Sequence, residues 1–425
     1  MTNDRKLTWL ASLSHLITHG YMTLLPAVLV VIAGEHSLSF LDIGLIANIG
    51  YFLYGLGAIP TGYLADRFGS KRMLTIGISG MAFSSILVGL SPSALTFALT
   101  YALLGSFASI HHPAGLSLIA RHVRTKGKAL GLHGVLGNVG LFLTPLAAAF
   151  SVKFFHTWRA AYIVYGLLGI PLALSFYFVR LENEPDLSWR ALFSRPEKQP
   201  AASTETPVRE TTAPPPVAVI PAALLFLYLG CILSGFIFRG SLTFFPTLFR
   251  QEIHFITTHD EPVVIAGYVT TAVLSLGLIG SWFGGYLNDR IRRPELFPLA
   301  IFIVVTPCLY FISRFIDTPL IWVSALFSLV YYAWQPSQNY LIARYTKKAS
   351  HGMGFGVNFF LLFGIGSVAT AIGGWMADDF GVDRFYLLMS WVAAACTACA
   401  LAVYLARRFQ IQFSWRLVRN DPDEE

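Results

Sequence analysis

The sequence GYLADRFGSKR at Gly62–Arg72 joins two long apolar stretches, and the sequence GYLNDR at Gly285–Arg290 joins two others. The two loops are 223 residues apart, and the same offset aligns His112-Pro113 with Gln335-Pro336. Unrelated positions would agree singly and at scattered offsets, so agreement of several landmarks at one offset indicates an internal repeat. We therefore predict a chain built from two similar halves.

The composition indicates a membrane protein. Hydrophobic residues make up 55% and charged residues 12% of the 425 positions, with a mean hydropathy of +0.60, whereas a soluble domain carries about 25% charged residues. Apolar stretches long enough to cross a bilayer as helices recur along the chain. We predict an all-α membrane protein with twelve transmembrane helices in two pseudo-symmetric six-helix bundles. The predicted spans are residues 8–33, 40–65, 73–91, 94–120, 128–150, 159–180, 219–249, 263–287, 295–313, 319–343, 352–377 and 385–406.

Lysine and arginine are unequally distributed between the two sets of loops. Of the 30, 24 fall on the side that carries both termini and five on the opposite side, while Arg239 alone lies within a span. Cytoplasmic loops of membrane proteins are enriched in these residues. We therefore predict that both termini are cytoplasmic, and we attribute the net charge of +7 to topology and not to a nucleic-acid partner.

A segment of different composition separates the halves. Residues 200–216 are dominated by Ala, Ser, Thr, Glu and Pro, which is typical of linkers. The predicted organisation is a first bundle at 1–181, a partly disordered cytoplasmic linker at 182–217, a second bundle at 218–410 and a cytoplasmic tail at 411–425.

The loop at Gly62–Arg72 follows the pattern Gly-x-x-x-Asp-Arg-x-Gly-Arg/Lys-Arg/Lys. In this it resembles the signature between the second and third spans of the major facilitator superfamily. The resemblance implies a latch that closes the cytoplasmic side, whereas plain cytoplasmic charge would explain Lys71 and Arg72 alone. The implied gate residues are Gly62, Asp66, Arg67, Gly69, Lys71 and Arg72, with Gly285, Asp289 and Arg290 in the second half.

Within that superfamily the first half is most similar to the fosmidomycin-resistance subgroup. The similarity lies in Ser12–His15, Ser37–Gly44, His112-Pro113 and Gly137–Gly140. In that subgroup the position of His19 tends to be acidic, so this chain departs from it where coupling chemistry is expected. The resemblance also places the antiporter-associated signature on the fifth span, but its usual Gly-Pro pair is missing.

Histidines are the protonatable groups that we expect at membrane depth, because every Asp and Glu near a span lies at its end. His15 and His19 are four residues apart and share one face of the first helix. In the superfamily that this chain resembles, helices one, four and five surround the cavity. We therefore expect the polar groups of these spans to converge. They are His15, His19, His111, His112, His133 and Asn138.

An imidazole titrates at about pH 6.5 in water and can carry a proton at physiological pH. A proton-coupled mechanism would therefore use one of these histidines, and we favour His19 and His112. The alternative is a neutral histidine hydrogen-bonded to a backbone carbonyl or a hydroxyl, which we expect for His133. Several converging imidazoles can also bind a transition metal. However, no Cys or carboxylate lies nearby and the spacing of a dedicated site is missing, so we predict neither a metal nor a cofactor.

Arg239 in the seventh span needs a counter-ion or water, because an unpaired guanidinium in the membrane is costly. It pairs with an anionic substrate in one interpretation and extends toward the external surface in the other. In the second half we expect amide side chains to line the cavity, namely Gln335, Gln338 and Asn358.

These features predict a secondary active transporter that moves a small organic solute by alternating access. We favour proton-driven efflux of an anionic or amphipathic compound. The alternatives are uptake of a small anionic metabolite, of a metal or of a metal chelate, and a receptor that transports nothing. We expect no enzyme, because the sequence shows no nucleophile–base pair or metal-ligand motif. We expect no nucleotide-driven pump, because it shows no phosphate-binding glycine loop with Lys-Ser or Lys-Thr. The expected setting is a monomer in a bacterial inner membrane, with a small molecule, protons and lipid as partners.

Overall fold

The computed structural model describes residues 3–123, 126–179, 218–288, 290–345, 351–410 and 412–415. The predicted linker at 182–217, the gate residue Asp289 and the tail beyond 415 lie outside these ranges. The side chains of Asp66 and Arg67 also fall outside what the structure describes.

Each half consists of six helical spans in the order that the sequence predicts. The first six are Asn3–His36, Phe40–Leu56 continued by Ala58–Phe68, Ser70–Gly89, Ala94–Ala108 continued by His111–His122, Lys126–Phe155 and Arg159–Phe178. The second six are Ala222–Glu252, Pro262–Asn288, Leu296–Ile312, Asp317–Tyr331 continued by Trp334–Tyr345, His351–Phe359 continued through Phe360–Gly364 and Ile365–Ser367 to Val368–Asp379, and Val382–Arg408. A short helix, His254–Thr257, connects the seventh and eighth spans.

Twelve spans in two bundles are confirmed. Within the described residues, ten helical segments are long and apolar enough to cross a membrane. The remaining two spans are the 17-residue apolar helix Leu296–Ile312 and the pair Asp317–Tyr331 and Trp334–Tyr345. The four cysteines are buried and free.

Prolines interrupt three spans, and two of the breaks are related by the repeat. The fourth span breaks at residues 109–110, just before Pro113, and the tenth breaks at 332–333, just before Pro336. The second span breaks at Gly57, before Pro60. Proline has no N–H to donate to the carbonyl four residues earlier, and its ring clashes with that carbonyl. Each break therefore lies about four residues before a proline. The fourth span is therefore interrupted beside His112.

In the first half, the first span packs on the fifth and the third on the sixth. In the second half, the seventh span packs on the eleventh and the twelfth, and the ninth packs on the twelfth. Between the halves, the second span packs on the eleventh and the fifth on the eighth. Apolar side chains fill both bundles, and the functional groups described below lie at or beside the contact between them.

A pair of short strands joins the ends of the second half. Strand β1, Ala218–Pro221, pairs antiparallel with strand β2, Gln412–Trp415. β2 lies in the segment 411–425 that we predicted to be a tail, and the pairing was not predicted. β1 is apolar and leads directly into the seventh span, so the sequence did not separate it from the predicted span at 219–249, and four residues are too few for β2 to stand out.

The two halves meet at the face that carries the loops around residues 37–39 and 380–381, which the charge distribution predicts to be external. Here the carboxylate of Asp378, from the second half, accepts hydrogen bonds from the backbone N–H groups of Phe40 and Leu41 at 2.9 and 2.7 Å. Ser39 and Asp42 form a capping box on the same helix. The free N–H groups at the start of the second span are thus partly satisfied by the opposite half.

An ion pair closes the other edge of this face. Lys153, at the end of the fifth span, donates to the Glu261 carboxylate before the eighth span at 2.9 Å. A carboxylate at a helix N-terminus and an ion pair both hold the halves together here. The face predicted to be external is therefore closed in this structure.

Replacing Asp378 by alanine should weaken this closure. Loss of a capping carboxylate costs about 0.5–2 kcal/mol, so we expect the externally open population to rise about fivefold. Double electron–electron resonance between spin labels at Leu95 and Ile316, two exposed positions near this face on opposite halves, would measure the change. The matched control is Asp379→Ala, because the Asp379 carboxylate makes no hydrogen bond within the described residues. Equal distance distributions in the two variants would contradict the capping role.

Candidate functional site

Five buried imidazoles converge in the first half, and we call them the imidazole cluster. The first span contributes two, the start of the helix after the proline break contributes two, and the fifth span contributes one. The close packing of the first span on the fifth brings these helices together, and a side chain at Gly137 would collide with the ring of His15. The cluster consists of His15, His19, His111, His112 and His133.

His15 is the centre of the cluster. Its ring centroid lies 4.1 Å from that of His133, 4.6 Å from His19, 5.0 Å from His112 and 5.2 Å from His111. The predicted convergence of the first, fourth and fifth spans is therefore present, and it includes His133.

Backbone carbonyls determine the tautomers of two imidazoles. His15 Nδ1 lies 2.7 Å from the carbonyl oxygen of His133, and His133 Nδ1 lies 3.1 Å from that of Ala11. A carbonyl can only accept, so both Nδ1 atoms carry the proton and both Nε2 atoms keep a lone pair. His15 Nε2 then accepts from His19 Nε2, at 2.9 Å.

His112 lies where the two halves touch. Its Nε2 is 2.5 Å from the hydroxyl of Tyr54 on the second span. Its ring stacks on Phe359 and Phe363 of the eleventh span, at centroid distances of 5.0 and 5.7 Å. Because the eleventh span belongs to the second half, a movement of the halves would change the surroundings of this imidazole.

Arg239 of the seventh span is 3% exposed and lies over aromatic rings of both halves. Its guanidinium carbon is 4.0 Å from the ring centroid of Tyr51, 5.8 Å from Tyr54 and 5.0 Å from Phe363. Within the described residues no carboxylate pairs with it, and its Nε has no hydrogen-bond partner. The side chain thus lies inside the contact between the halves and does not reach a surface.

The remaining predicted cavity residues divide into two groups. Asn138 donates to Ser281 across the halves at 3.4 Å, and Gln338 donates to Asn358 within the second half. Gln335, by contrast, is exposed and makes no hydrogen bond within the described part of the chain. It lies in the first turn after the proline break, and nothing in the structure ties it to the cluster.

The described gate residues have three kinds of environment. Gly69 has φ of 90°, a conformation that favours glycine. Lys71 and Arg72 are buried, at 7% and 3% exposure, which plain surface charge does not explain. The guanidinium of Arg290 stacks on Tyr286 of its own half at 3.6 Å.

Two further gate glycines, Gly62 and Gly285, do not lie at a close approach of helices. Among the described residues, a side-chain carbon at Gly62 would meet Pro113 alone, at 4.0 Å, and one at Gly285 would meet Pro336 alone, at 3.9 Å. Both are ordinary contact distances, so packing alone does not require glycine at either position.

Sequence reasoning missed the aromatic side chains that connect the charged and protonatable groups. Tyr51, Tyr54, Phe359 and Phe363 surround Arg239 and His112. The three-residue spacing of Tyr51 and Tyr54 does place their rings on one face of the second helix. Aromatic residues are frequent in every span, however, and that spacing does not separate these two from the rest.

The chain is similar to several known membrane proteins. It is 26% identical to the membrane sensor protein UhpC of Salmonella typhimurium over 61% of this chain and 58% of that protein. It is 24% identical to the fosmidomycin resistance protein of Escherichia coli over 90% of this chain and 88% of that one. A probable hexose phosphate transport protein of Chlamydia pneumoniae is 23% identical over 86% and 82%.

The fold is also found among solved structures. A bacterial homolog of the human lysosomal transporter Spinster, crystallised in an inward-facing and occupied conformation, superposes with a TM-score of 0.73 at 15% identity, covering 98% of this chain and 100% of that one. The model of the family described as Major Facilitator Superfamily matches residues 10–371 of this chain. With its two six-helix halves and a buried polar site where they meet, this integral, multi-pass membrane protein belongs to the Major Facilitator Superfamily.

Proposed function

We propose that this protein is a secondary active transporter that exports a small organic anion in exchange for protons by alternating access. The observation that carries the proposal is the buried guanidinium of Arg239 at the contact between the halves, with no carboxylate partner within the described residues. A binding group at this position would be exposed to one side and then to the other as the halves move.

The environment of Arg239 suits an anion that arrives and leaves. A permanent carboxylate partner would neutralise the guanidinium and leave no charge to attract a solute. Stacking on Tyr51 at 4.0 Å stabilises the cation in the meantime. A planar guanidinium with its donors in a fork is suited to carboxylate, phosphate or phosphonate groups.

Two relatives that the chain matches over most of their length support this class of solute. One is named for hexose phosphate, an anion, and the other for resistance to fosmidomycin. A resistance protein favours export, and a transport protein for a phosphorylated sugar favours a phosphate-sized binding group. Neither name assigns a substrate to this chain.

For the proton we propose His112 and His19. Their ring centroids are 5.4 Å apart, and both lie near the contact between the halves. Tyr54 connects the two functions, because its hydroxyl contacts His112 and its ring lies 5.8 Å from the Arg239 guanidinium carbon. Exchange requires that the anion and the proton occupy the site in turn, and we propose that each affects binding of the other through Tyr54, which both His112 and Arg239 contact.

Transport into proteoliposomes tests both the solute class and the direction of coupling. The probes are labelled glucose 6-phosphate and fosmidomycin, offered outside vesicles with an imposed pH gradient. Exchange for protons predicts uphill uptake when the lumen is acidic, because protons leave as the anion enters, whatever the orientation of the protein. Uptake driven by an acidic exterior would indicate symport and overturn export. Binding of a probe without any flux would instead favour a sensor.

His112→Ala should abolish uphill accumulation while leaving exchange of labelled for unlabelled anion. Exchange needs no net proton movement, whereas accumulation needs the protonation step, so we expect accumulation to fall at least tenfold with exchange reduced less than threefold. His19→Ala should behave in the same way. The control is His36→Ala, which changes a histidine at the far end of the first span, beside Phe97 and Trp158. Gradient-driven accumulation in both cluster variants would disprove the assignment of the proton site.

A further inference from the structure

The proposed proton step uses His19 and His112 and leaves three imidazoles of the cluster without a role. Of these three, only His15 contacts a proton-site histidine by a hydrogen bond, to His19. His15, His111 and His133 each offer a nitrogen that lies within 4.8 Å of the others. The three histidines are 8%, 1% and 2% exposed, in that order. They come from the first, fourth and fifth spans and form a compact group inside the first half.

Two of the three are oriented as metal ligands are oriented in proteins. A metal-bound histidine almost always donates its other ring N–H to a carbonyl, a carboxylate or water, which fixes the ring and its tautomer. His15 and His133 both donate from Nδ1 to backbone carbonyls, those of His133 and Ala11. Each therefore keeps a lone pair on Nε2, the atom that a metal would take.

The third imidazole, that of His111, makes ring contacts but no hydrogen bond in the described part of the chain. Within the described residues neither ring nitrogen of His111 has a hydrogen-bond partner, and neither has Nε2 of His133. Buried polar atoms without partners are uncommon because they lose their bonds to water and gain nothing in return. The nitrogens that lack partners belong to the same group whose lone pairs converge, which points to a ligand bound between them.

We propose that His15, His111 and His133 bind a divalent transition-metal ion of the zinc, cobalt or nickel class. Neutral imidazole suits these ions, while the all-nitrogen set excludes magnesium and calcium, which prefer oxygen. Metal–nitrogen bonds of about 2.0–2.1 Å require the rings to draw together on binding. The lone pair of His15 Nε2 would turn from His19 to the metal.

This inference differs from the prediction made from sequence spacing, and the fold explains the difference. A dedicated metal motif is recognisable when two ligands share one helix or loop at a short interval. Here each ligand comes from a different span, so the ligand set exists only after the first, fourth and fifth spans have packed together.

Cobalt titration of the full-length protein without a polyhistidine tag tests the site. We expect one equivalent of Co²⁺ to bind with the visible absorption of a four-coordinate ion. His111→Ala and His133→Ala should each weaken binding at least tenfold. The control is His156→Ala, an exposed histidine outside the cluster, which should bind as the wild type does. No binding by the wild type, or equal binding by all variants, would overturn the proposal.

If the alanine variants do not fold, replacing His111 by cysteine, which can also bind a metal, tests whether residue 111 is a ligand. His111→Cys should bind Co²⁺ and add a thiolate-to-cobalt charge-transfer band in the near ultraviolet. The four native cysteines lie in the second half and are buried, so the wild type supplies the baseline. A folded His111→Cys protein that binds Co²⁺ without this band would show that residue 111 is not a ligand. None of these measurements involves transport, so their outcome is independent of the proposed export.

Discussion

Arg239→Gln should abolish transport of an anionic probe while leaving the protein folded. Charge-assisted contacts in a desolvated site are worth about 2–5 kcal/mol, so we expect the ratio of maximal rate to half-saturating concentration to fall at least about 30-fold. Glutamine keeps part of the volume and the hydrogen-bonding capacity but removes the charge. The measurement is concentration-dependent exchange of glucose 6-phosphate and fosmidomycin in proteoliposomes.

The thermal stability of Arg239→Gln should not fall as its transport activity does. A buried guanidinium without an ionic partner carries a desolvation penalty that its stacking on Tyr51 and Phe363 offsets only in part. We therefore expect Arg239→Gln to keep or raise the midpoint of thermal unfolding. A group retained for packing would show the reverse, with lower stability and little change in affinity.

The matched control for this prediction lies on the same helix. Arg250 is at the end of the seventh span and is only partly buried. Arg250→Gln removes the same charge from the same element, and we expect exchange within about twofold of the wild type. Unchanged affinity for both anions in Arg239→Gln would remove Arg239 from the binding site and with it the main support for an anionic solute.

The sequence indicated the groups that are chemically conspicuous in a membrane. A histidine or an arginine within an apolar run stands out because lipid offers it no partner. The internal repeat, read from the GYLADR and GYLNDR loops, also aligned Pro113 with Pro336, and the structure has a break before each of them. Convergence of the histidines followed from which spans carry them, given the resemblance to the family.

Groups whose role depends on the opposite half were not predictable in the same way. Asp378 is one of many acidic residues at the end of a span, and only the packed structure shows it at the start of the second helix. Tyr54 resembles any tyrosine in a span until its hydroxyl is seen beside His112. Spacing along one helix contains no information about which side chain the neighbouring helix presents.

The second span packs so closely on the eleventh that a larger residue at this contact should have a large effect on transport. A side-chain carbon at Gly374 would collide with the backbone carbonyl of Phe40, and one at Gly44 would collide with that of Thr370. A backbone carbonyl cannot turn aside as a side chain can. The halves can therefore close at the face predicted to be external only while these positions carry no side chain.

Gly374→Val should accordingly hold that face open. Overpacking costs about 1–3 kcal/mol or more where neighbours cannot yield, so we expect the open population to rise at least about fivefold and transport to fall below about a tenth of the wild-type rate. Distances between spin labels at Leu95 and Ile316, with the native cysteines replaced by alanine, would show the opening directly. Anion binding to the open form should survive, because Arg239 is left unchanged.

The same helix provides the control that separates this collision from a general effect of valine. In the described part of the chain, nothing lies within 4 Å of the position that a side-chain carbon at Gly356 would occupy, and valine is a better helix former than glycine. Gly356→Val should therefore transport as the wild type does. If Gly374→Val retained wild-type distances and rate, the second and eleventh spans would have to separate by another route, and the contact of the two backbones would not be what closes this face. If both variants lost transport without a change in distance, the eleventh span would require glycine for its own bending, and the π-helical turn at Phe360–Gly364 would become the element to test.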